Sequence, residues 1–178
     1  MPLLTALGIS IGVLGGIATF LFLGPLAGLH LQIWAAFIAW ACFYHCGGKE
    51  AGLRITVVNT IFGAVIGWIT LLLVTQIPLG PVLGVPLWAG ICVAVMVFIL
   101  VVAANMPAFS VIPAAVYGFA AVVAQSLLAT KLDTLLAGDL SNPIGVIILS
   151  LVIGALLGYA SEKVAGWLTA PAPAVTTA

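Results

Sequence analysis

The chain has 178 residues, of which 65% are hydrophobic and 4% are charged, and its formal net charge at pH 7 is zero. The 76 residues from Ile55 to Thr130 contain no Asp, Glu, Lys or Arg. A soluble domain needs surface charge to remain in water, so this composition excludes one and predicts a polytopic membrane protein. The sequence also has no basic cluster, which excludes nucleic acid as a partner.

Gly, Pro and the few charged residues divide the chain into apolar segments. A bilayer core about 30 Å thick takes roughly 20 apolar residues per helical span. Six spans are predicted in chain order: Leu3–Leu23, His30–Cys46, Ile55–Thr75, Leu87–Ala104, Phe109–Thr130 and Pro143–Ser161. The predicted fold is therefore all-α, with one six-helix transmembrane domain over residues 1–168 and a disordered C-terminal tail over residues 169–178.

The charged residues predict an orientation. With six spans both termini lie on one side, together with Lys49, Arg54 and Lys163, whereas Lys131 lies on the other. The positive-inside rule then places the N-terminus and the C-terminus in the cytoplasm.

Two similar hexapeptides raise the question of an internal repeat. The segment from Gly63 to Trp68 resembles the segment from Gly154 to Tyr159, since each joins two glycines four residues apart to an aromatic residue. If spans one to three repeat as spans four to six, the odd number makes the halves opposite in orientation. A 3+3 inverted repeat and a chance likeness between Gly-rich helices are equally compatible with this pattern.

Glycines at four-residue spacing indicate close helix packing. Such faces let helix backbones approach each other in lipid. We interpret them as packing surfaces within or between subunits of a homo-oligomer: Gly8, Gly12, Gly16, Gly63, Gly67, Gly154 and Gly158.

The third span carries a polar stripe at helical spacing, formed by Thr56, Asn59, Thr60, Gly63, Gly67 and Thr70. An amide in hydrocarbon needs hydrogen-bond partners, so Asn59 faces protein or a polar cavity. An interhelical hydrogen bond and a pore-lining amide are the two interpretations.

Further polar and aromatic positions at membrane depth are pore candidates. Asn105 lies two residues before Pro107, in a break between the fourth and fifth spans. Pro113 leaves the carbonyl of Phe109 unpaired in the predicted fifth span, with Tyr117 on the same face. An ordinary helix kink explains these residues equally well. Phe37 and Trp40 lie deep in the second span, where they either pack in the core or narrow a pore.

Cys42, His45 and Cys46 share one helix at a spacing that is awkward for three metal ligands, so neither a metal site nor a cofactor is predicted. No span has Asp, Glu, Lys or Arg in its middle. We therefore expect neither catalysis, ion-coupled transport nor a charged substrate.

Several short motifs resemble the domain-of-unknown-function 1097 (DUF1097) family of small bacterial inner-membrane proteins, over about residues 5–168. The motifs are Trp34-Ala-Ala-Phe37, Phe43-Tyr44, the turn from Gly47 to Gly52, Phe109-Ser-Val-Ile-Pro113 with Gly118, and Gly154-x-x-x-Gly158-Tyr159-Ala160. The resemblance implies a multi-span inner-membrane protein and no particular activity. In outline, the three-plus-three arrangement of spans and the short stripes of polar amides are also similar to proton-gated urea and amide channels.

The leading hypothesis is a passive channel or facilitator for a small uncharged solute such as urea, a short amide, ammonia or a dissolved gas. Phe37 and Trp40 would form its constriction, and Asn59, Asn105 and Tyr117 would bind the solute. The alternative is a non-transporting structural or assembly subunit of a membrane complex. A metabolite exporter without ion coupling is a third possibility.

Overall fold

The computed structural model describes residues 1–129 and 131–169, which are helical and contain no β-strand. Six helices have at least 13 residues, and we number them in chain order. They are α1 Leu3–Leu23, α2 Ile33–His45, α3 Lys49–Gln76, α4 Val85–Val102, α5 Ile112–Leu128 and α6 Pro143–Leu168. A one-turn helix at Gly80–Leu83 and short 3-10 turns lie in the connections. Apart from Thr169, the predicted tail lies outside the described residues.

The six helices fall into two length classes. α1, α3, α6 and α4, with the turn that continues it to Asn105, are long and apolar enough to cross a membrane. α2 and α5 are apolar but have only 13 and 17 residues. At about 1.5 Å per residue they reach roughly 20 and 26 Å, less than the hydrocarbon thickness. The apolar helices indicate a membrane protein, with four helices that meet the length of a span.

The helix bounds confirm some predicted spans and correct others. α1 has the predicted bounds, whereas α3 begins at Lys49 instead of Ile55 and α6 ends at Leu168 instead of Ser161. In α3, Glu50 lies in the first turn, near the positive end of the helix dipole, and stabilises the additional polar residues there. Gly47 and Gly48 have φ angles of 88° and 66°. The chain therefore reverses in the three residues between α2 and α3, which allows α3 to begin at Lys49.

The predicted break at Pro113 is wrong. α5 begins at Ile112, so Pro113 lies in its first turn, where a backbone N–H has no helical partner in any case. Pro113 therefore starts a helix and leaves no carbonyl unpaired in the middle of one. The preceding residues, Ala103–Asn105 and Pro107–Phe109, form two 3-10 turns between α4 and α5.

Four inner helices carry most of the packing. The most extensive contacts join α3 to α5 and α2 to α6, and α3 also packs against α6. Small residues allow this approach, because the core between these helices is built on Ala35, Ala39, Ala64, Ala121 and Ala155. The outer helices α1 and α4 pack mainly on α6 and α3, respectively.

The outer helices present apolar side chains to the surroundings. Leu4, Phe20 and Phe98 are among their exposed residues, as expected for contact with lipid. On α1, a methyl group placed at Gly8, Gly12 or Gly16 would meet no atom of the chain within 4 Å. These three glycines therefore face away from the bundle.

Charged residues lie at the two ends of the bundle. One end contains Lys49, Glu50, Arg54, Glu162 and Lys163, and the backbone N–H of Lys49 donates to the Glu162 carboxylate at 2.8 Å. The N-terminal amine reaches the carbonyl of Leu168 at this same end, at 3.4 Å. The opposite end contains Lys131, Asp133 and Asp139, which precede α6.

Candidate functional site

The polar stripe of the predicted third span lies on the buried face of α3. Thr56, Asn59, Thr60 and Thr70 are each at most 2% exposed. The hydroxyls of Thr60 and Thr70 donate to the carbonyls four residues earlier, at 2.7 and 2.8 Å. The Thr56 hydroxyl is buried beside the thiol of Cys42. The stripe is thus uncharged, and most of its hydrogen bonds stay within α3.

Asn59 bonds to the segment between α4 and α5. Its Nδ2 donates to the carbonyl of Ile55 at 2.9 Å and to that of Ala108 at 3.3 Å. Its Oδ1 accepts from the backbone N–H of Val111 at 3.3 Å. Val111 is the residue that caps the start of α5. Asn59 therefore satisfies the backbone where a new helix begins.

Ser150 on α6 makes the corresponding contact with the start of α2. Its Oγ accepts from the backbone N–H of Gln32 at 2.9 Å and donates to the carbonyl of Val146 at 2.7 Å. Gln32 caps α2 as Val111 caps α5. Each short helix is therefore fixed at its N-cap residue by a buried polar side chain of a long helix.

The two contacts continue along the helices in matching register. Four residues after Asn59, Gly63 faces Ala115, and a methyl group on Gly63 would overlap the carbonyl of Ala115. Four residues after Ser150, Gly154 faces the carbonyl of Ala36 in the same way. Ala115 and Ala36 each come four residues after the capped N–H of their own helix.

The next glycines extend the correspondence. Gly67 faces Phe119 and Val122 of α5, and Gly158 faces Phe43 of α2. At these positions the backbone of one helix lies against the backbone or an aromatic ring of the next, so a residue larger than glycine would clash.

Phe37 and Trp40, the predicted constriction, lie together on α2. Their rings stack at 5.7 Å between centroids with an interplanar angle of 5°. Trp40 is only 3% exposed, and its Nε1 donates to Ser161 Oγ of α6 at 2.9 Å. Tyr44 OH lies 2.7 Å from the same oxygen. Phe37 is 41% exposed and lies against Gly15 of α1. Trp40 therefore packs between helices.

The other predicted pore residues lie elsewhere. Asn105 is exposed, and its Nδ2 donates to the nearby carbonyl of Val102 at 2.8 Å. Pro113 is exposed, and Tyr117 OH lies 3.1 Å from Nδ1 of His45. The structure thus joins Phe37 to Trp40 but separates this pair from the Asn59 and Tyr117 contacts.

Two recesses open at opposite ends of the bundle. The first, about 630 Å³, is mainly lined by α5, α6 and the connections beside them. Its polar lining residues are His30, Gln32, Gln125, Lys131, Asp139 and Ser141. Hydrogen bonds from the side chain and backbone of Ser141 hold the pKa of Asp139 below its usual value. The second recess, about 670 Å³, is lined by Ala51, Arg54, Ile55, Val58, Pro107 and Ala108.

No group of three or more His, Cys, Asp or Glu side chains in residues 1–129 and 131–169 is arranged to hold a metal ion. Cys42 and Cys46 have their sulfurs 3.8 Å apart, whereas His45 is turned towards Tyr117.

Sequence reasoning missed Ser150 and Ser161, although a signal was present. Asn59, Gly63, Gly67 and Thr70 are spaced by four, four and three residues. The same spacing joins Ser150, Gly154, Gly158 and Ser161. Comparing the small and polar positions together, instead of the glycine hexapeptides alone, would have identified both serines.

Comparisons with known proteins give one match. The family model described as "Protein of unknown function (DUF1097)" matches residues 8–166. Neither the search of curated proteins nor that of solved structures finds a match.

Proposed function

Since the chain belongs to the DUF1097 family of proteins of unknown function, we propose from its structure that it is a passive facilitator or channel for a small uncharged solute. The observation that carries this proposal is an interior that is polar but uncharged. In the part of the chain that the structure describes, the buried polar side chains are hydroxyls and two amides, at Ser10, Thr56, Asn59, Thr60, Thr70, Ser126, Asn142, Ser150 and Ser161.

Such an interior favours neutral solutes for an energetic reason. An ion that leaves water needs a counter-charge or several strong dipoles, and no carboxylate, Lys or Arg lies in the middle of any predicted span. A neutral amide needs only a few hydrogen bonds in exchange for its hydration. The first recess, which we call the polar recess, offers such hydrogen bonds at one membrane face. Its lining residues Gln32 and Val146 both bond to Ser150.

We further infer six membrane crossings arranged as a 3+3 inverted repeat. The correspondence of Asn59 with Ser150 and of Gly63 with Gly154 supports the repeat, as does the pairing of α3 with α5 and α2 with α6. The short α2 and α5 cross together with the irregular residues 24–32 and 103–111 that precede them. Irregular backbone is tolerated at membrane depth where protein covers it, and Asn59 and Ser150 supply that cover.

The orientation and assembly follow the same proposal. We propose that the chain lies in a bacterial inner membrane with both termini in the cytoplasm. The three basic residues at the Lys49 end, against one at the other end, support this orientation by the positive-inside rule. The outward glycine face of α1, with Gly8, Gly12 and Gly16, packs against another copy in a homo-oligomer. Each protomer then has its own solute path.

Stopped-flow light scattering on proteoliposomes tests the proposal with gradients of urea, acetamide and glycerol. We expect at least one solute to equilibrate faster than in protein-free liposomes. Gln125→Leu, which removes an amide from the polar recess, should slow this flux. Gln76→Leu, which removes an exposed amide outside both recesses, should leave it unchanged. Flux equal to that of empty liposomes for all three solutes contradicts the proposal.

A structural or assembly subunit is the second candidate, and the bonding of Asn59 and Trp40 favours it. Both side chains are bonded within the chain, as expected of residues that hold helices together. Mild cross-linking after extraction separates the two candidates. Stoichiometric recovery of other polypeptides supports the subunit, and a clean homo-oligomer with solute flux supports the facilitator.

A further inference from the structure

Arg54 is the only arginine of the chain, and its side chain has no hydrogen-bond or ion-pair partner in the part of the chain that the structure describes. Neighbouring charged groups at the same end do have partners. Glu162 accepts from the Lys49 backbone, Glu50 accepts from Tyr159 OH at 3.4 Å, and Lys163 lies 4.9 Å from the centre of the Tyr159 ring. The exposed guanidinium of Arg54 is therefore available to a ligand.

The position of Arg54 along α3 sets its depth in the membrane. It directly precedes Ile55, where the uncharged stretch of the sequence begins. α3 has 28 residues and is about 42 Å long, so its ends extend past a hydrocarbon core of about 30 Å. Arg54 thus lies where the hydrocarbon meets the headgroups, at the level of the lipid phosphates.

The recess beside Arg54 is apolar apart from the guanidinium. Ala51, Ile55 and Val58 lie with Arg54 along one stripe of α3, on a different face from the buried Gly52, Thr56 and Asn59. Pro107 and Ala108 form the other wall, and they belong to the segment that Asn59 bonds. A fixed cation above an apolar groove of about 670 Å³ matches an amphiphile with an anionic head.

We propose that this recess is a binding site for one anionic phospholipid. The guanidinium of Arg54 binds the phosphate, because its planar pair of N–H donors matches two phosphate oxygens. One acyl chain lies along Ile55, Val58 and Pro107. Charge complementarity selects the ligand, because Arg54 is the only charged residue that lines the recess. The site requires that α3 spans the membrane and is independent of which solute, if any, the protein transports.

Native mass spectrometry of the full chain tests this site. The detergent-solubilised protein is mixed with equal amounts of phosphatidylglycerol and phosphatidylcholine of identical acyl chains. One basic residue at a membrane surface favours an anionic lipid by about fivefold. We expect a phosphatidylglycerol preference of about this size in the wild type and none in Arg54→Gln. Lys163→Gln is the matched control, since it removes an exposed charge at the same end outside the recess.

Two further measurements make the result specific. Inorganic phosphate at a large excess should not displace the lipid, because it lacks the acyl chain. Val58→Asn should weaken the binding of both lipids equally, because it places a polar group in the apolar groove. Size-exclusion chromatography with circular dichroism verifies that each variant is folded. An unchanged preference in Arg54→Gln overturns the proposal, as does an equal loss in Lys163→Gln. Full displacement by inorganic phosphate would identify a free-anion site and would also overturn it.

Discussion

The substitution Asn59→Leu tests whether Asn59 holds helices together. The Asn59 side chain, 1% exposed, makes two bonds beyond its own helix, to the Ala108 carbonyl and from the Val111 N–H, each 3.3 Å long. Interhelical hydrogen bonds in membrane proteins contribute about 0.6 kcal/mol on average and up to about 1.7 kcal/mol. Two long bonds therefore contribute about 1 to 2 kcal/mol, and leucine removes both at nearly constant volume.

Unfolding in mixed micelles by increasing SDS, followed by circular dichroism, measures this loss. Asn105→Leu is the matched control, because Asn105 is exposed and bonds only to the nearby Val102 carbonyl. We expect a change within about 0.5 kcal/mol for the control, as for most surface substitutions. If Asn59→Leu is as stable as the control and instead abolishes solute flux, the amide lines a path and the packing argument is refuted.

Three other substitutions test the packing and the polar end. Gly63→Ala places a methyl group against the rigid carbonyl of Ala115, and we expect a loss of about 1 to 3 kcal/mol in the same unfolding assay. Gly90→Ala, in open space on α4, should be neutral or stabilising by up to about 1 kcal/mol, so equal losses in Gly63→Ala and Gly90→Ala would contradict the geometry. Ser141→Ala should raise the pKa of Asp139 towards its ordinary value, as measured by NMR titration of the carboxylate, and an unchanged pKa would refute the assigned cause. Because folding lowers this pKa, ionised Asp139 stabilises the folded state above the unfolded-state value, and that stabilisation is lost as pH falls through the folded-state value.

The sequence predicted the positions of the helices better than it predicted which helices pack together. Apolar segments between glycines and prolines gave all six helices in order, and α1 with its observed bounds, because hydrophobicity over a whole segment dominates the signal. Charged residues were taken as helix boundaries, and α3 shows why this failed, since Glu50 stabilises its first turn.

The pairing of α2 with α6 and of α3 with α5 had no direct signal. Apolar helix faces in lipid are chemically alike, so only backbone proximity at glycines distinguishes one partner from another. Asn59 was correctly expected to need buried partners, but the identity of those partners depended on an irregular segment 49 residues away. Pro113 was misinterpreted because a proline in a first turn and a proline in a helix interior look the same until the helix start is known.

The packing of α2 on α6 and of α3 on α5 has a consequence for biogenesis. α2 packs on α6, the last of these six helices to be made, and α3 packs on α5, so neither group of three helices contains its own principal contacts. During synthesis, α3 enters the bilayer with Asn59 unbonded to Ala108 and Val111 until the fifth helix arrives. Folding of the six-helix bundle must then wait for α6, because contacts distant in sequence form only once both partners exist. A ribosome that stalls after Gln76 would therefore leave in the membrane a fragment with exposed glycine grooves and an unpaired amide, both features of a substrate for membrane quality control.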